Sequence, residues 1–292
     1  MVPPRSMARG DGMWLRGLSA VSPTGGHMGS KLISASMKMR RASYLISLFD
    51  QTTMGLAALI DGNRVTGIRT AATAAVAVDC AAPHRALRVG VIGSGFEARG
   101  LLLALASIRE VAHVKVYSPT PASRERFADE MRHDLSLHID PSTSAQDAIR
   151  GADVVLCAAR SRDESPVLVG EWLEPDMTVV SIGSTLPEQR EVDEQVIARA
   201  ALIVADMVEE VAHDTGDMIA AKKAGVNFDD KLFALSDFVG GRTPGRQPGD
   251  IVLYKSVGSA LQDVVTAEML LARARAKGVG TELLSSIVPV SK

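Results

Sequence analysis

Aromatic residues make up only 4% of this 292-residue chain, and there are two cysteines. So few rings exclude a base-stacking platform of the kind single-stranded nucleic acid needs. Cys80 and Cys157 cannot build a disulfide scaffold, and two free thiols fit a reducing cytoplasm. An excess of one charge is also missing. The chain has 32 Lys and Arg against 34 Asp and Glu, a net charge of −2, which is no footprint for a nucleic-acid polymer. No apolar run approaches the ~18–20 residues that span a bilayer. The first residues carry Pro3, Pro4, Arg5 and Arg9 but no apolar segment of a secretory signal. The six histidines show no HExxH or paired-ligand spacing, so no metal is expected. The absence of a Gly-x-Ser-x-Gly elbow excludes the common serine-hydrolase arrangement. What remains, 46% hydrophobic and 23% charged, is an ordinary globular composition, and the length favours two domains.

The first of these spans residues 1–83, with a C-terminal helix (257–292) expected to pack back on it. It holds nine Lys or Arg against four acids, a surplus of positive charge in an otherwise acidic chain. That suits a small anionic ligand. The first 30 residues, rich in Gly, Pro and Ser, read as irregular. Short strands are expected from Lys31, over Ser43–Asp50 and over Gly55–Asp61, with a turn at Asp61-Gly62-Asn63. An Ala-rich helix then runs from Arg69 to Pro83. The second unit, 84–256, alternates apolar strands with helices: strands begin near Leu87, His113, Ala152, Thr178 and Ala201. That alternation predicts βαβ units and a parallel sheet. The expected fold class is α/β, a Rossmann-type parallel-sheet domain with a split α+β substrate and dimerisation domain.

The first strand of the second unit runs into Gly93-Ser94-Gly95-Phe96-Glu97-Ala98, which opens a helix. Gly93 permits the tight turn and Gly95 lets the backbone approach a pyrophosphate. Ala98, in place of a third glycine, allows close helix–strand packing. The helix N-terminus offers unpaired N–H groups to phosphate. At the end of the second strand an NAD site usually carries an acid for the ribose hydroxyl. Here Ser118 stands there, followed by Thr120, Ser123 and Arg124. Hydroxyls and a guanidinium suit a 2′-phosphate, so NADP(H) is favoured, with NAD(H) as the alternative. Thr70 and Ser184 complete the expected cofactor contacts.

Several short motifs occur in order: Pro3-Pro4-Arg5, Gly29-Ser30-Lys31, Leu48-Phe49-Asp50, Arg69-Thr70, Gly93-x-Gly95, Pro166-Val167-Leu168, Glu171-Trp172, Arg190-Glu191, Gly216-Asp217, Gly245-Arg246 and Ser256-Val257-Gly258. With these the chain resembles the ornithine cyclodeaminase/μ-crystallin family across nearly its whole length. The resemblance implies a homodimer and a small imino-acid or amino-acid substrate, with neither nucleic acid nor membrane as partner. It also implies that Arg5, Lys31 and Arg69 hold a substrate carboxylate. A guanidinium grips a carboxylate through two bonds, and a lysine can also move a proton. Arg69 is expected to open its helix, where the N-terminal dipole end would add to its charge.

One departure separates this chain from the cyclodeaminases. They place an Asp two positions after the glycine that follows the fourth strand, to hold the substrate amine; here Thr185 stands in that place. The expected activity is therefore NAD(P)H-dependent reduction of an imino acid (ketimine) to an amino acid. The alternatives are an ornithine cyclodeaminase, an opine-type or alanine dehydrogenase, and a low-turnover NADPH-binding crystallin-like protein. Family members carry helices ahead of the Pro-Pro-Arg segment. Its place at residues 3–5 implies either a start set too late or a shortened dimerisation domain. Secondary expectations are a loop role for His27, helix-capping roles for Asp217 and Ser256, and a structural role for Glu191.

Overall fold

The computed structural model describes residues 2–36, 38–283 and 287–290. Its elements, in chain order, begin with strands β1 (Ser6–Gly10), β2 (Met13–Val21), β3 (His27–Ser36), β4 (Arg41–Asp50) and β5 (Leu56–Asp61). Helix α1 (Gly62–Ala81) follows, then β6 (Leu87–Ile92), α2 (Phe96–Ile108), β7 (Val111–Tyr117), α3 (Pro121–Leu135), β8 (Ile139–Pro141) and α4 (Ala145–Ile149). Next come β9 (Val154–Cys157), β10 (Thr178–Ser181), α5 (Glu194–Arg199), β11 (Leu202–Ala205), α6 (Val208–Asp214) and α7 (Gly216–Lys223). The chain ends with β12 (Leu232–Ala234), α8 (Leu235–Val239), β13 (Val252–Lys255) and α9 (Ala260–Ala276). Contacts divide it into two units, residues 1–69 with 258–292, and residues 70–257. The sequence places the break after Pro83, just past the end of α1 at Ala81; the division by contacts falls earlier, inside the helix.

In the first unit β1 to β5 form one antiparallel sheet in sequential order. The expectation of an irregular start is corrected: β1 and β2 pair through a two-residue Asp11-Gly12 turn, with Gly12 at φ +65°. Asp-Gly between paired strands is the preferred hairpin chemistry, because only such residues take φ > 0 readily. One face of the sheet carries Leu18, Ala20, Ile33, Ile46 and Leu48, buried with Val65 of α1 and with Ala260, Val264 and Ala267 of α9. The other face leaves Leu15, Leu32, Leu45 and Leu59 exposed. Helix α1 also starts before its expected position. Asp61 accepts the Asn63 N–H at 3.0 Å, so the residues expected as a turn begin the helix.

The second unit holds eight strands among the described residues, in the order β12-β11-β13-β10-β9-β6-β7-β8, and every pairing is parallel. Strands β9, β10, β11 and β13 are buried throughout, as continuous apolar runs covered on both faces usually are. The strand order reverses beside β6: the chain goes outward to β7 and β8, then returns to β9 on the other side. Ligands in open α/β sheets bind at the carboxyl ends of the strands at such a point.

Candidate active site

In the first unit the alternation of β3 turns Lys31 and Ile33 to the face that α9 covers. Helix α9 starts at Ser259, whose side chain and that of Gln262 form a capping box, a device worth about 1 kcal/mol. That start sets the helical phase: Ala260, Asp263, Val264 and Ala267 make up the buried stripe. One carboxylate therefore lies in an apolar face, where it requires partners. It has two. Asp263 Oδ2 is 2.6 Å from Lys31 Nζ, and Oδ1 accepts Arg69 Nε–H at 2.9 Å. Arg69 Nη1 also donates to Gln262 Oε1 at 3.1 Å. Lys31 Nζ reaches Thr66 Oγ1 at 3.4 Å, and Arg5 Nη2 donates to the Gly258 carbonyl at 3.4 Å.

The structure thus brings Lys31 and Arg69 together on one acid, with Arg5 near enough for its charge to act on Lys31. Gly258, at φ +79°, leaves room for the Arg69 guanidinium; a Cβ there would stand 2.5 Å from both terminal nitrogens. Two guanidinium groups and an ammonium in one place suit an anionic ligand. Lys31 is lowered to about 8, first by burial and then by the Arg69 charge, while Asp263 pulls it back up and Arg5 adds a smaller depression. A lysine with that value exchanges a proton near neutral pH. Arg69 lies in the interior of α1, seven residues after its first, so the expected contribution of the helix N-terminus to its charge is withdrawn.

In the second unit β6 ends at Ile92, and Gly93 turns the chain at φ +113°. A Cβ on Gly93 would meet the Ala158 carbonyl oxygen at 2.5 Å, so the turn presses against the end of β9. Gly95 caps α2 with extended backbone and no side-chain bond, and a Cβ on it would meet nothing within 4 Å. Beside a helix N-terminus of 13 residues, that open space is a cradle that fits a dinucleotide's pyrophosphate. Arg99 Nη1 donates to the Ser94 carbonyl at 2.6 Å and braces the loop. Ala98 is fully buried, whereas Phe96 is exposed. Glu97 lies in the first turn of α2. After β7, Ser118 Oγ donates to the Thr120 carbonyl at 3.4 Å, and Arg124 Nη1 donates to the Ser118 carbonyl at 3.0 Å. Thr120 caps α3, with Ser123 in its first turn. Thr70 is buried in α1.

Beyond β10, Ser184 Oγ donates to the Gln189 carbonyl at 2.6 Å, and Thr185 bonds Gln189 Oε1 through its N–H and its hydroxyl. A buried network fixes this loop. Glu191 accepts from Ser181 Oγ at 2.6 Å, from Gly183 N–H at 2.7 Å and from Ala159 N–H at 2.9 Å. It thereby ties the ends of β9 and β10 together. Lys255 Nζ is 2.9 Å from Asp217 Oδ2 and donates to Ser181 Oγ at 3.0 Å. Asp217 is therefore not a cap: its Oδ1 accepts the N–H groups of Glu191 and Val192. Ser256 is not the cap of α9 either; it donates to Asp206 Oδ2 at 2.6 Å. His27 lies in β3 rather than a loop, with Nδ1 2.9 Å from Glu268 Oε1.

Asp263 and Gln262 were not among the sequence candidates. The legible signal was a lone acid among Ala260, Val264 and Ala267. Val265 and Met269, apolar residues of the same helix, are exposed.

A relative in Bacillus cereus, named Delta(1)-pyrroline-2-carboxylate reductase, is 29% identical over 82% of this chain and 73% of its own. The ketimine reductase mu-crystallin of Mus musculus is 28% identical over 77% and 67%. A solved structure of Thermococcus litoralis Delta(1)-pyrroline-2-carboxylate reductase, in complex with NADH and L-proline, superposes with a TM-score of 0.90 at 28% identity. The match covers 97% of this chain and 89% of that one. The family model for ornithine cyclodeaminase/mu-crystallin matches residues 27–278, which take in Lys31, Arg69, Asp263 and the Gly93 loop but not Arg5. The chain belongs to the ornithine cyclodeaminase/mu-crystallin family.

Proposed function

We propose that the protein is an NAD(P)H-dependent reductase that converts a cyclic or α-imino acid to the corresponding amino acid. The observation that carries this is the buried Lys31–Asp263–Arg69 cluster with Arg5 beside it, and the names of the relatives above support it. Arg69 and Arg5 hold the substrate carboxylate. Lys31 keeps the imine nitrogen protonated, or protonates the product amine, and Asp263 fixes the ammonium in place. A bound nicotinamide supplies hydride to the imine carbon. The reaction balances as imine plus NAD(P)H plus a proton giving amine plus NAD(P)+. The Gly93–Ala98 turn holds the pyrophosphate, with Thr70 and Ser184 as further contacts.

NADP(H) is preferred over NAD(H), because Ser118, Thr120, Ser123 and Arg124 follow β7 where an acid would repel a 2′-phosphate. Thr185, occupied with Gln189, offers no charge to a substrate δ-ammonium, which favours a reductase over a cyclodeaminase. The outer face of the five-stranded sheet, with Leu15, Leu32, Leu45 and Leu59 exposed, is the surface proposed for a second copy of this chain. No helix among the described residues is long and apolar enough to cross a membrane. A cytoplasmic setting is supported by two free thiols.

The test is loss of NADPH absorbance with Delta(1)-pyrroline-2-carboxylate and its six-membered homologue. A parallel assay supplies ornithine and NAD and reads ammonia. NADPH consumption that disappears in Arg69→Ala supports the reductase. Ammonia and proline from ornithine without net cofactor use would replace it with the cyclodeaminase. Cofactor binding without turnover in either assay would favour a binding protein.

A further inference from the structure

Strands β7 and β8 pair in parallel with Val114 opposite Ile139 and Lys115 opposite Asp140. One step back, that register sets His113 opposite His138. Side chains alternate along a strand, so His113, His138 and Asp140 share one face of the ribbon. Their atoms converge. His113 Nε2 lies 2.8 Å and His138 Nε2 3.2 Å from the same oxygen, Asp140 Oδ2. The two imidazoles stack with centroids 5.0 Å apart and planes at 26°. One donor atom from each residue falls within 4.8 Å of the others. No linear spacing reveals the group, because its members come from two segments joined by α3.

We infer that His113, His138 and Asp140 form a site for a divalent transition-metal ion of the zinc class. Two imidazoles and a carboxylate are borderline donors that suit zinc, and bonds of about 2.0–2.1 Å to a tetrahedral ion place neighbouring donors roughly 3.3 Å apart. The separations of 2.8 and 3.2 Å are close to that spacing without rebuilding the backbone. Lys115 stands opposite Asp140 but is drawn toward Asp147, with Nζ 3.4 Å from its carbonyl and 3.5 Å from its carboxylate. Water completes the coordination, since the His138 side chain is 70% exposed. The consequence is structural. Strand β8 has three residues, stands last in the sheet and, among the described residues, pairs only with β7. An ion held by both strands cross-links that edge.

The site is tested on the full-length chain without an affinity tag. Cobalt(II) is titrated as a visible probe, then displaced with zinc, and thermal melting is followed with and without zinc. The expected result is one equivalent of cobalt with an intense visible band and a higher melting temperature with zinc. His138→Ala and Asp140→Asn should each weaken binding by about tenfold or more and abolish the zinc-dependent rise. His138→Ala should melt like the parent without metal, since that ring is largely exposed. Two outcomes overturn the inference: no cobalt band and no zinc effect in the parent, or binding that neither substitution weakens. A bare pair of His–Asp hydrogen bonds gives the first, and an ion seated elsewhere gives the second.

Discussion

Replacing Asp263 with Asn tests whether this acid sets the proton affinity of Lys31. The two side chains are 2.6 Å apart and both are buried. Asn keeps the shape and an oxygen for Arg69 but removes the charge. An opposite charge at such a distance shifts a pKa by about 1–3 units. Its loss should lower Lys31 from about 8 to roughly 5–7. With a drop of about two units, the protonated fraction at pH 7 falls from about nine-tenths to about one-tenth. The assay is kcat/KM for imine reduction against pH, which reports groups of the unliganded enzyme. The parent's basic limb should sit near the Lys31 value, and that of Asp263→Asn should move about two units toward acid. The variant should regain most of its activity near pH 5, and its Kd for NADPH should stay unchanged. A uniform loss at every pH, with the limb in place, would show that Asp263 only packs. A limb moved toward base would refute the electrostatics altogether.

Gly258→Ala should push the Arg69 guanidinium aside, since the new Cβ would stand 2.5 Å from both terminal nitrogens. Losing a charge-assisted contact of about 1.5–3 kcal/mol should raise the substrate KM by about 10- to 100-fold with NADPH affinity intact; loss of both affinities would refute this. Gly93→Ala forces φ +113° on a residue with a Cβ, against the Ala158 carbonyl. A stability loss of about 1–3 kcal/mol and the disappearance of NADPH-induced thermal stabilisation are expected; a retained ligand shift would remove the loop from the cofactor site. Arg124→Ala should weaken NADPH binding by about tenfold and leave NADH nearly unchanged, as read by fluorescence titration; equal effects on both would end the NADP preference. Lys31 also predicts a pH-dependent stability. In the unfolded chain it keeps its proton to ~10.4, in the folded chain only to about 8. Between those values the unfolded state binds more protons, so stability should rise with pH, by up to about 3 kcal/mol, and Lys31→Met should flatten that rise. Denaturant unfolding between pH 7 and 10 measures it.

The second unit was legible because a parallel sheet buried on both faces writes its strands as unbroken apolar runs. Leu87–Ile92 leading into Gly93 is one of these. The first unit was less so. Residues Met13–Val21 alternate about a half-exposed sheet and include Gly17 and Ser19, so composition hid the period-two pattern and the Asp11-Gly12 turn. Lys31 and Arg69 stood out as cations, but Asp263 did not. Its role depends on the phase of α9, set by a cap at Ser259 rather than at the expected Ser256. Asp217 was misjudged for a similar reason: its partners, Lys255 and the Glu191 backbone, come from other elements. Contacts that join distant segments leave no local period to read.

Strand β13 has a consequence for synthesis. It lies between β10 and β11, yet the ribosome makes it last of the eight strands. A nascent chain that stops before Val252 holds one partial sheet ending at β10 and a separate pair, β11 and β12. Each presents an open parallel edge with N–H and C=O groups unanswered, the kind of edge that recruits foreign strands. Thr178–Ser181 on one side and Leu202–Ala205 on the other both wait for Val252–Lys255. The sheet closes from its middle, and ribosome pausing upstream of that segment would prolong the exposure of both edges.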